Sequence, residues 1–392
     1  MLLRRRSALS GMLLPLIPAC GSSGSQRQSP VPQEPSGNDA APARPADAAR
    51  TTDLAGNGGG PEAGSDAGAS PETGAPADAT ADEATAEVGP ALQRIGFGSC
   101  NQLEMSQAFW DQIIARQPEV FLFLGDAIYV DHGDTYPMLA NVPGFKRLMA
   151  MTRPFVIWDD HDYGGNDTSS SFADKLGAKK RFLDFWAARG AIPADSPRWT
   201  RAGNYDAAII GAPGREVQLL MLDNRYFKGT PPGGTVLGAE QWTWLAAELK
   251  KPARLRILMS GMELISTSTT PEGWGQFKAE QQHLYDVLRA SGAKGLVILS
   301  GDKHYCEISR RDDLGLGYPL YDFTSSPMSA PPEPLEANLY RDSPGASISD
   351  HNFGVITIDW AASDPTVHVE IVHATKGTLL LEKRLTLGLL GD

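Results

Sequence analysis

The stretch Leu296-Val-Ile-Leu-Ser300-Gly301-Asp302-Lys303-His304 decides the reading of this chain. An apolar run fit for a buried strand ends abruptly in glycine, an acid and a histidine. Two other stretches share this grammar: Phe121-Leu-Phe-Leu-Gly125-Asp126-Ala-Ile-Tyr129 and Phe155-Val-Ile-Trp158-Asp159-Asp160-His161-Asp162. A carboxylate at the end of a buried strand is costly unless it is paired or meets a cation. Three such ends can converge on one rim of a sheet, where open α/β sheets bind their ligands. Asp, Tyr and His gathered there point to a two-metal hydrolytic site.

Working outward, further buried strands are predicted at Ile95–Phe97, Val217–Leu222 and Leu255–Met259. Later runs at Phe353–Asp359, Thr366–His373 and Thr378–Leu385 read as a closing antiparallel set, with His368/Glu370 and Val369/Ile371 alternating at the period of a half-buried strand. Helical periodicity lies between the strands. Glu104–Arg116 places Met105, Phe109, Trp110 and Ile113 on one face, and Ala173–Arg189 does so with Leu176, Phe182, Phe185 and Trp186. Ala239–Leu249 and Lys278–Ser291 are two more helices. Strand and helix in alternation imply a largely parallel sheet, and the closing strands imply an antiparallel partner. The expected fold is α/β, with two packed mixed sheets and helices outside. The Gly- and Pro-rich loops Gly229–Gly234 and Pro327–Pro334 are expected to rim the site.

The amino-terminal part reads differently. Arg4, Arg5 and Arg6 precede an apolar stretch from Ala8 to Ala19, too short to span a bilayer. Residues 1–19 are expected to be an export signal. Leu16-Ile-Pro-Ala-Cys20 resembles the lipobox of bacterial lipoproteins, which implies a lipid on Cys20 and a membrane anchor. Arg5-Arg6-Ser7-Ala8-Leu9 is similar to the core of signals for folded-protein export. Residues 21–90 contain no Phe, Trp or Tyr and are expected to form a disordered Ala/Pro/Gly/Asp-rich tether up to a domain over residues 91–392. The tether carries a charge of −8 and the signal +3, leaving −7 of the chain's −12 on the domain. An acidic domain argues against nucleic acid as the main ligand.

Within the domain, Asp126 and Tyr129 can reach one ion, and a phenolate favours a highly charged metal such as ferric iron. Asp160 is a natural metal ligand, Asn166 offers a neutral oxygen to a hard cation such as calcium, and His161 is a candidate acid. Asp302 and His304, two apart in an extended segment, can face the same site. Cys100 ends the first strand in Gly98-Ser99-Cys100-Asn101. Its thiolate suits iron; a disulfide to Cys306 is the alternative. Arg225, in Leu222-Asp223-Asn224-Arg225-Tyr226, would either clamp a phosphoryl group or pair with a carboxylate.

The Ser99-Cys100 strand end, Gly125-Asp126-Ala-Ile-Tyr129, Trp158-Asp-Asp160-His161, Leu222-Asp-Asn-Arg225, Ser300-Gly-Asp302-Lys-His304 and Tyr321-Asp-Phe-Thr-Ser-Ser326 occur in the order found in alkaline phosphatase D. From about Arg94 to Asp359 the chain resembles that family, a branch of the calcineurin-like metallophosphoesterases. The resemblance implies a four-layer α/β/β/α sandwich. It implies a binuclear or multinuclear centre of Fe3+ with Ca2+, held by Cys100, Asp126, Tyr129, Asp160, Asn166 and Asp302, with His161, His304 and Arg225 as catalytic groups. The expected activity is that of an exported phosphoric ester hydrolase using a metal-bound hydroxide, in the periplasm or on the outer surface. The rival expectations are a phospholipase D-like phosphodiesterase on lipid or wall-polymer head groups, and a surface lipoprotein that binds without turnover. Two departures stand out. Ser99-Cys100-Asn101 replaces the superfamily's first Asp-x-His, and Ser260-Gly-Met-Glu263 lacks the usual His, with Glu263 as its candidate substitute.

Overall fold

A computed structural model describes residues 89–133, 135–270 and 272–392. The signal, the lipidated Cys20 and the tether expected before Gly89 lie outside the described residues.

Thirteen strands are seen among the described residues: β1 (Arg94–Gly98), β2 (Val120–Leu124), β3 (Arg153–Ile157), β4 (Asp206–Ile210), β5 (Val217–Met221), β6 (Leu255–Ser260), β7 (Leu296–Ser300), β8 (Cys306–Arg311), β9 (Leu320–Thr324), β10 (Ser347–Ile348), β11 (Asn352–Asp359), β12 (Thr366–His373) and β13 (Leu379–Thr386). They form two mixed sheets, ordered β13-β12-β11-β1-β2-β3 and β10-β8-β9-β7-β6-β5-β4. In the first, β1, β2 and β3 run parallel; in the second, β5, β6, β7 and β9 do.

β2 shows how sequence builds the layers. Successive side chains of a strand point to opposite faces. Val120, Leu122 and Leu124 enter a core shared with β5, β6 and β7 of the other sheet. Phe121 and Phe123 enter a second, aromatic core beneath α1 (Phe109–Ala115), α3 (Pro143–Met151) and α5 (Lys175–Ala187), which supply Trp110, Phe145, Phe182 and Trp186. Phe123 and Trp186 lie 4.8 Å apart, centroid to centroid. The second sheet is covered by α6 (Gly238–Glu248) and α7 (Lys278–Ser291), through Trp242, Leu245, Leu284 and Leu288. The expected four-layer α/β/β/α order is therefore found. Two short helices, α2 (Tyr136–Asn141) and α4 (Asp160–Tyr163), complete the set.

Two expectations about helix faces fail. Helix α1 begins only at Phe109, so Met105 precedes it and is 39% exposed. Leu176 sits on the solvent side of α5, 69% exposed, while Phe182, Phe185 and Trp186 are buried. The alternation expected of β12 is found, with Val367, Val369 and Ile371 buried and His368 and Glu370 half-buried.

Candidate metal centre

All the parallel strands end on one rim, and the turns that follow them are tight. Cys100, Asp126, Asp302 and His304 have φ values of 59°, 52°, 67° and 51°, in the left-handed region that L-residues seldom occupy. Gly125 (φ 103°) is required for a second reason: a Cβ there would stand 2.5 Å from the Asp159 Cβ. The expected close approach at Gly125 is thus to a neighbouring loop.

The segment Asp159–Asp162 divides its labour. Asp159 and Asp162 form a capping box on α4, each side chain accepting from the other's backbone N–H. Asp162 also accepts from Tyr136 Oη at 3.2 Å and Ala127 N at 3.4 Å. Asp160 turns toward Asp126, and His161 faces the cleft. Oxygens of Asp126, Asp159, Asp160 and Asp302 lie within 4.8 Å of one another, and a second group joins Asp160, Asp167 and Glu272. Cys100 Sγ lies 3.5 Å from Asp126 Oδ2 and receives a hydrogen bond from Ser326 Oγ at 3.1 Å. Cys100 and Cys306 are both buried free thiols, so the alternative disulfide is not formed. Tyr129 packs on Cys100, bonds His304 Nε2 at 3.1 Å and stacks on His161 at 4.0 Å.

The electrostatics call for cations. Burial first, and then neighbouring carboxylates, push Asp126 and Asp302 well above the usual carboxylate range. Burial, then Asp126 and Asp302, do the same to the Cys100 thiol, and burial, then Cys100 and Asp126, to the Tyr129 phenol. Asp159 rises to about 6 because burial outweighs the attraction of Arg225. Its hydrogen bond to Glu272, followed by burial, takes Asp167 to about 7. A bound cation inverts this logic by favouring every charged form at once. The donor set fits such ions: clustered carboxylates for a hard cation, and thiol and phenol beside Asp126 for a transition metal. Asn166 lies on the cleft wall, with its Nδ2 donating to Asp167 at 3.1 Å.

Arg225 corrects the expected phosphoryl clamp. Its guanidinium is fully buried, pairs with Asp159 through Nε and Nη2 and meets Glu272 through Nη2. It also lies 3.6 Å from Asp160 and 3.8 Å from Asp302. It is the counter-charge of the acidic group, and the cleft wall does not include it. Glu263 corrects another expectation. It is buried away from both carboxylate groups, among Glu307, Asp322 and Lys303.

The rim opens into a cleft of about 320 Å³ lined by Asp126, His161, Asp302, His304, Lys303 and Glu272 among others. Glu333 lines it from the Pro327–Pro334 loop; none of its described lining comes from Gly229–Gly234. His161 Nδ1 contacts Asp131 Oδ1 at 2.7 Å, which leaves Nε2 as the nitrogen available to a ligand. Burial, and then His161, lower His304 to about 4, so it is neutral at ordinary pH. Sequence reasoning missed Asp131, Asp167 and Glu272. Asp131, two residues after Tyr129, carried a readable signal; Glu272 sits in a loop with none.

A family described as PhoD-like phosphatase matches residues 134–355, more than half of the chain. The chain belongs to the PhoD-like phosphatases. A solved structure described as that of PhoD superposes with a TM-score of 0.57 at 15% identity, covering 77% of this chain and 69% of the other, and supports the fold. A double mutant of Vps29 from Entamoeba histolytica aligns at 12% identity over 75% of this chain and 98% of its own, with a TM-score of 0.31, which carries no weight. No curated protein matches. Cys100, Asp126 and Tyr129 precede the span matched by the PhoD-like family, so their place in the centre rests on geometry.

Proposed function

We propose that this PhoD-like phosphatase is an exported, metal-dependent phosphoric ester hydrolase. The observation that carries the proposal is the convergence of Asp126, Asp159, Asp160 and Asp302 within 4.8 Å on a rim shared with His161 and His304. Asp126, Asp160 and Asp302 would hold the ions, with Cys100 and Tyr129 on the side of a transition metal such as Fe3+, and Asn166 on the side of a hard ion such as Ca2+. When bound, such ions draw charge from the phosphoryl oxygens and make water more acidic.

The chain's own residues do the rest. Asp131 accepts from His161 Nδ1–H and so supports the doubly protonated ring, whose Nε2–H faces the cleft and would give its proton to the leaving alkoxide. His304, tied to Tyr129, remains a neutral hydrogen-bonding partner. Arg225 holds Asp159 and Glu272 in place and offsets part of the charge gathered there. Glu272 and Asp167 extend the acidic group toward the cleft mouth.

Export and anchoring through a lipid on Cys20 would place this chemistry in the periplasm or on the outer surface. No described helix is long and apolar enough to cross a membrane. Elemental analysis of the purified full chain, alongside a panel of phosphate mono- and diesters, tests the proposal. Stoichiometric iron or calcium with phosphate release is expected. Metal without turnover would favour a binding lipoprotein. Retention of a Cys20→Ser variant in the membrane fraction would remove the lipid anchor.

A further inference from the structure

Ser326 follows β9 and is fully buried beside Cys100. Its Oγ accepts from His304 N at 3.1 Å and donates its one proton to Cys100 Sγ at 3.1 Å. Ser99 Oγ also lies 3.4 Å from that sulfur, but its proton goes to Ser325 O at 3.0 Å. Of the two hydroxyls, Ser326 is therefore the one that donates. The surrounding backbone holds it in this aim. Asn352, fully buried at the start of β11, donates Nδ2 to Ser326 O and accepts from Ser325 Oγ at 2.9 Å. Ser325 N donates to Ser300 O at 2.9 Å, and Ser329 N and Ala330 N both donate to Cys100 O at 3.2 Å. The segment from Ser325 to Ala330 thus wraps the cysteine.

We infer that Ser326 is a positioning residue for the metal centre: its hydroxyl hydrogen-bonds the Cys100 thiolate and tempers the charge that the sulfur donates to a transition metal. The inference rests on the metal-dependent reading above and deepens it by assigning a residue outside the ligand set. A thiolate is a strong electron donor, and hydrogen bonds to a ligating sulfur set how much of that charge reaches the metal. Metal affinity and activity commonly depend on such partners of the ligands. Burial makes the bond count for more, because no solvent is at hand to take the hydroxyl's place. Ser326 also ties the sulfur to the backbone of His304, whose ring bonds Tyr129 Oη at 3.1 Å. One hydroxyl therefore spaces the thiol of the first sheet from the histidine of the second. A tempered sulfur leaves the centre electron-poor, which suits drawing charge from phosphoryl oxygens.

The test loads the metal-free full chain with Fe3+ alone. Wild type is compared with Ser326→Ala, Ser99→Ala and Cys100→Ala, with circular dichroism confirming the fold of each. The readouts are the thiolate-to-iron absorption band, the Fe–S stretching frequency by resonance Raman, and the midpoint potential of the bound iron. In Ser326→Ala the band is expected at longer wavelength and the stretch at higher frequency. The ferric form gains about tenfold over the ferrous, the size of one hydrogen bond, so the midpoint falls by about 59 mV. Ser99→Ala removes a neighbouring hydroxyl that does not donate to the sulfur, and should move none of these. Unchanged readouts in folded Ser326→Ala overturn the inference. Equal shifts in the two serine variants also overturn it, since lost packing would then be the cause. A wild-type band that survives Cys100→Ala, or the absence of any such band, refutes instead the reading of Cys100 as a ligand.

Discussion

The carboxyl and amino ends of the parallel strands differ in how they treat charge. Past the carboxyl ends of β2, β3 and β7, acids crowd together and Arg225 is buried against them. Before the amino ends of β5, β6 and β7 lies a basic cleft of about 450 Å³ lined by Lys250, Lys251, Arg254, Arg256 and Lys294. There the charges are settled locally. Arg256 donates to the carbonyls of Ala253, Lys294 and Lys251 at 2.9, 2.6 and 2.7 Å, Lys251 pairs with Glu248, and Arg254 pairs with Asp392. One end spends its polar groups on holding turns together. The other gathers more like charge than Arg225 alone offsets and holds left-handed backbone beside it, which is the pattern of a working site.

The sharpest way to break this contrast is Asp302→Asn. Removing one acid from the crowded end should cut turnover by on the order of 10³-fold and lower metal content, yet raise the melting temperature of the metal-free protein. Elemental analysis, kinetics and calorimetry on one preparation check all three. Unchanged turnover would remove Asp302 from the centre. Asp131→Asn should have a smaller effect: metal is retained, and kcat falls about 10²-fold on alkyl esters and less on aryl esters, whose leaving groups need no proton. Equal losses on both would make Asp131 merely structural. At the opposite end, Arg256→Met should leave kcat untouched and cost about 1–3 kcal/mol in stability, because buried carbonyls lose their donor. Denaturant melts monitor it, and a loss of activity in folded protein would show that the two ends are coupled.

The smallest effect concerns Glu263. Burial, and then Glu307 and Asp322, push its carboxyl well above the ordinary range. Its folded-state pKa therefore exceeds its unfolded one, so the folded protein holds this proton more tightly. The associated stability is fully present below the unfolded pKa and is lost as pH rises toward the folded value. Glu263→Gln should flatten that decline and be the more stable form at neutral pH. Identical pH–stability curves for the two proteins would contradict the assignment.

Much of this was legible in the sequence, and the failures share a cause. Strands β2 and β7 were plain because both faces are covered, so their sequences run apolar almost to the last residue. Strands β8 and β9 were hidden by Glu307 and Asp322, which are fully buried inside them. Asp322 is accommodated by Ser300 Oγ and the backbone N–H groups of Leu264 and Ile265, partners distant in sequence. Asp126, Asp160 and Asp302 could be found because each follows a strand in its own segment. The burial of Arg225 could not, because Asp159 and Glu272 reach it through space. Glu263 was misplaced for the converse reason: a strand end looks like a ligand position whichever way its side chain turns.

The PhoD-like centre draws Cys100, Asp126 and Asp160 from the loops of one sheet, and Asp302 and His304 from those of the other. Met328 N, beyond β9, donates to Ser99 O at 2.9 Å across this seam. Occupancy by ions would therefore act as a rivet between two halves that otherwise meet through hydrocarbon, hydrogen bonds such as this one and the Arg225–Asp159 ion pair. A slippage of the sheets too small to disturb their hydrogen-bond ladders would still pull the donors out of range. Catalysis would then be the most sensitive gauge of how the sandwich is aligned, failing before any spectroscopic sign of unfolding.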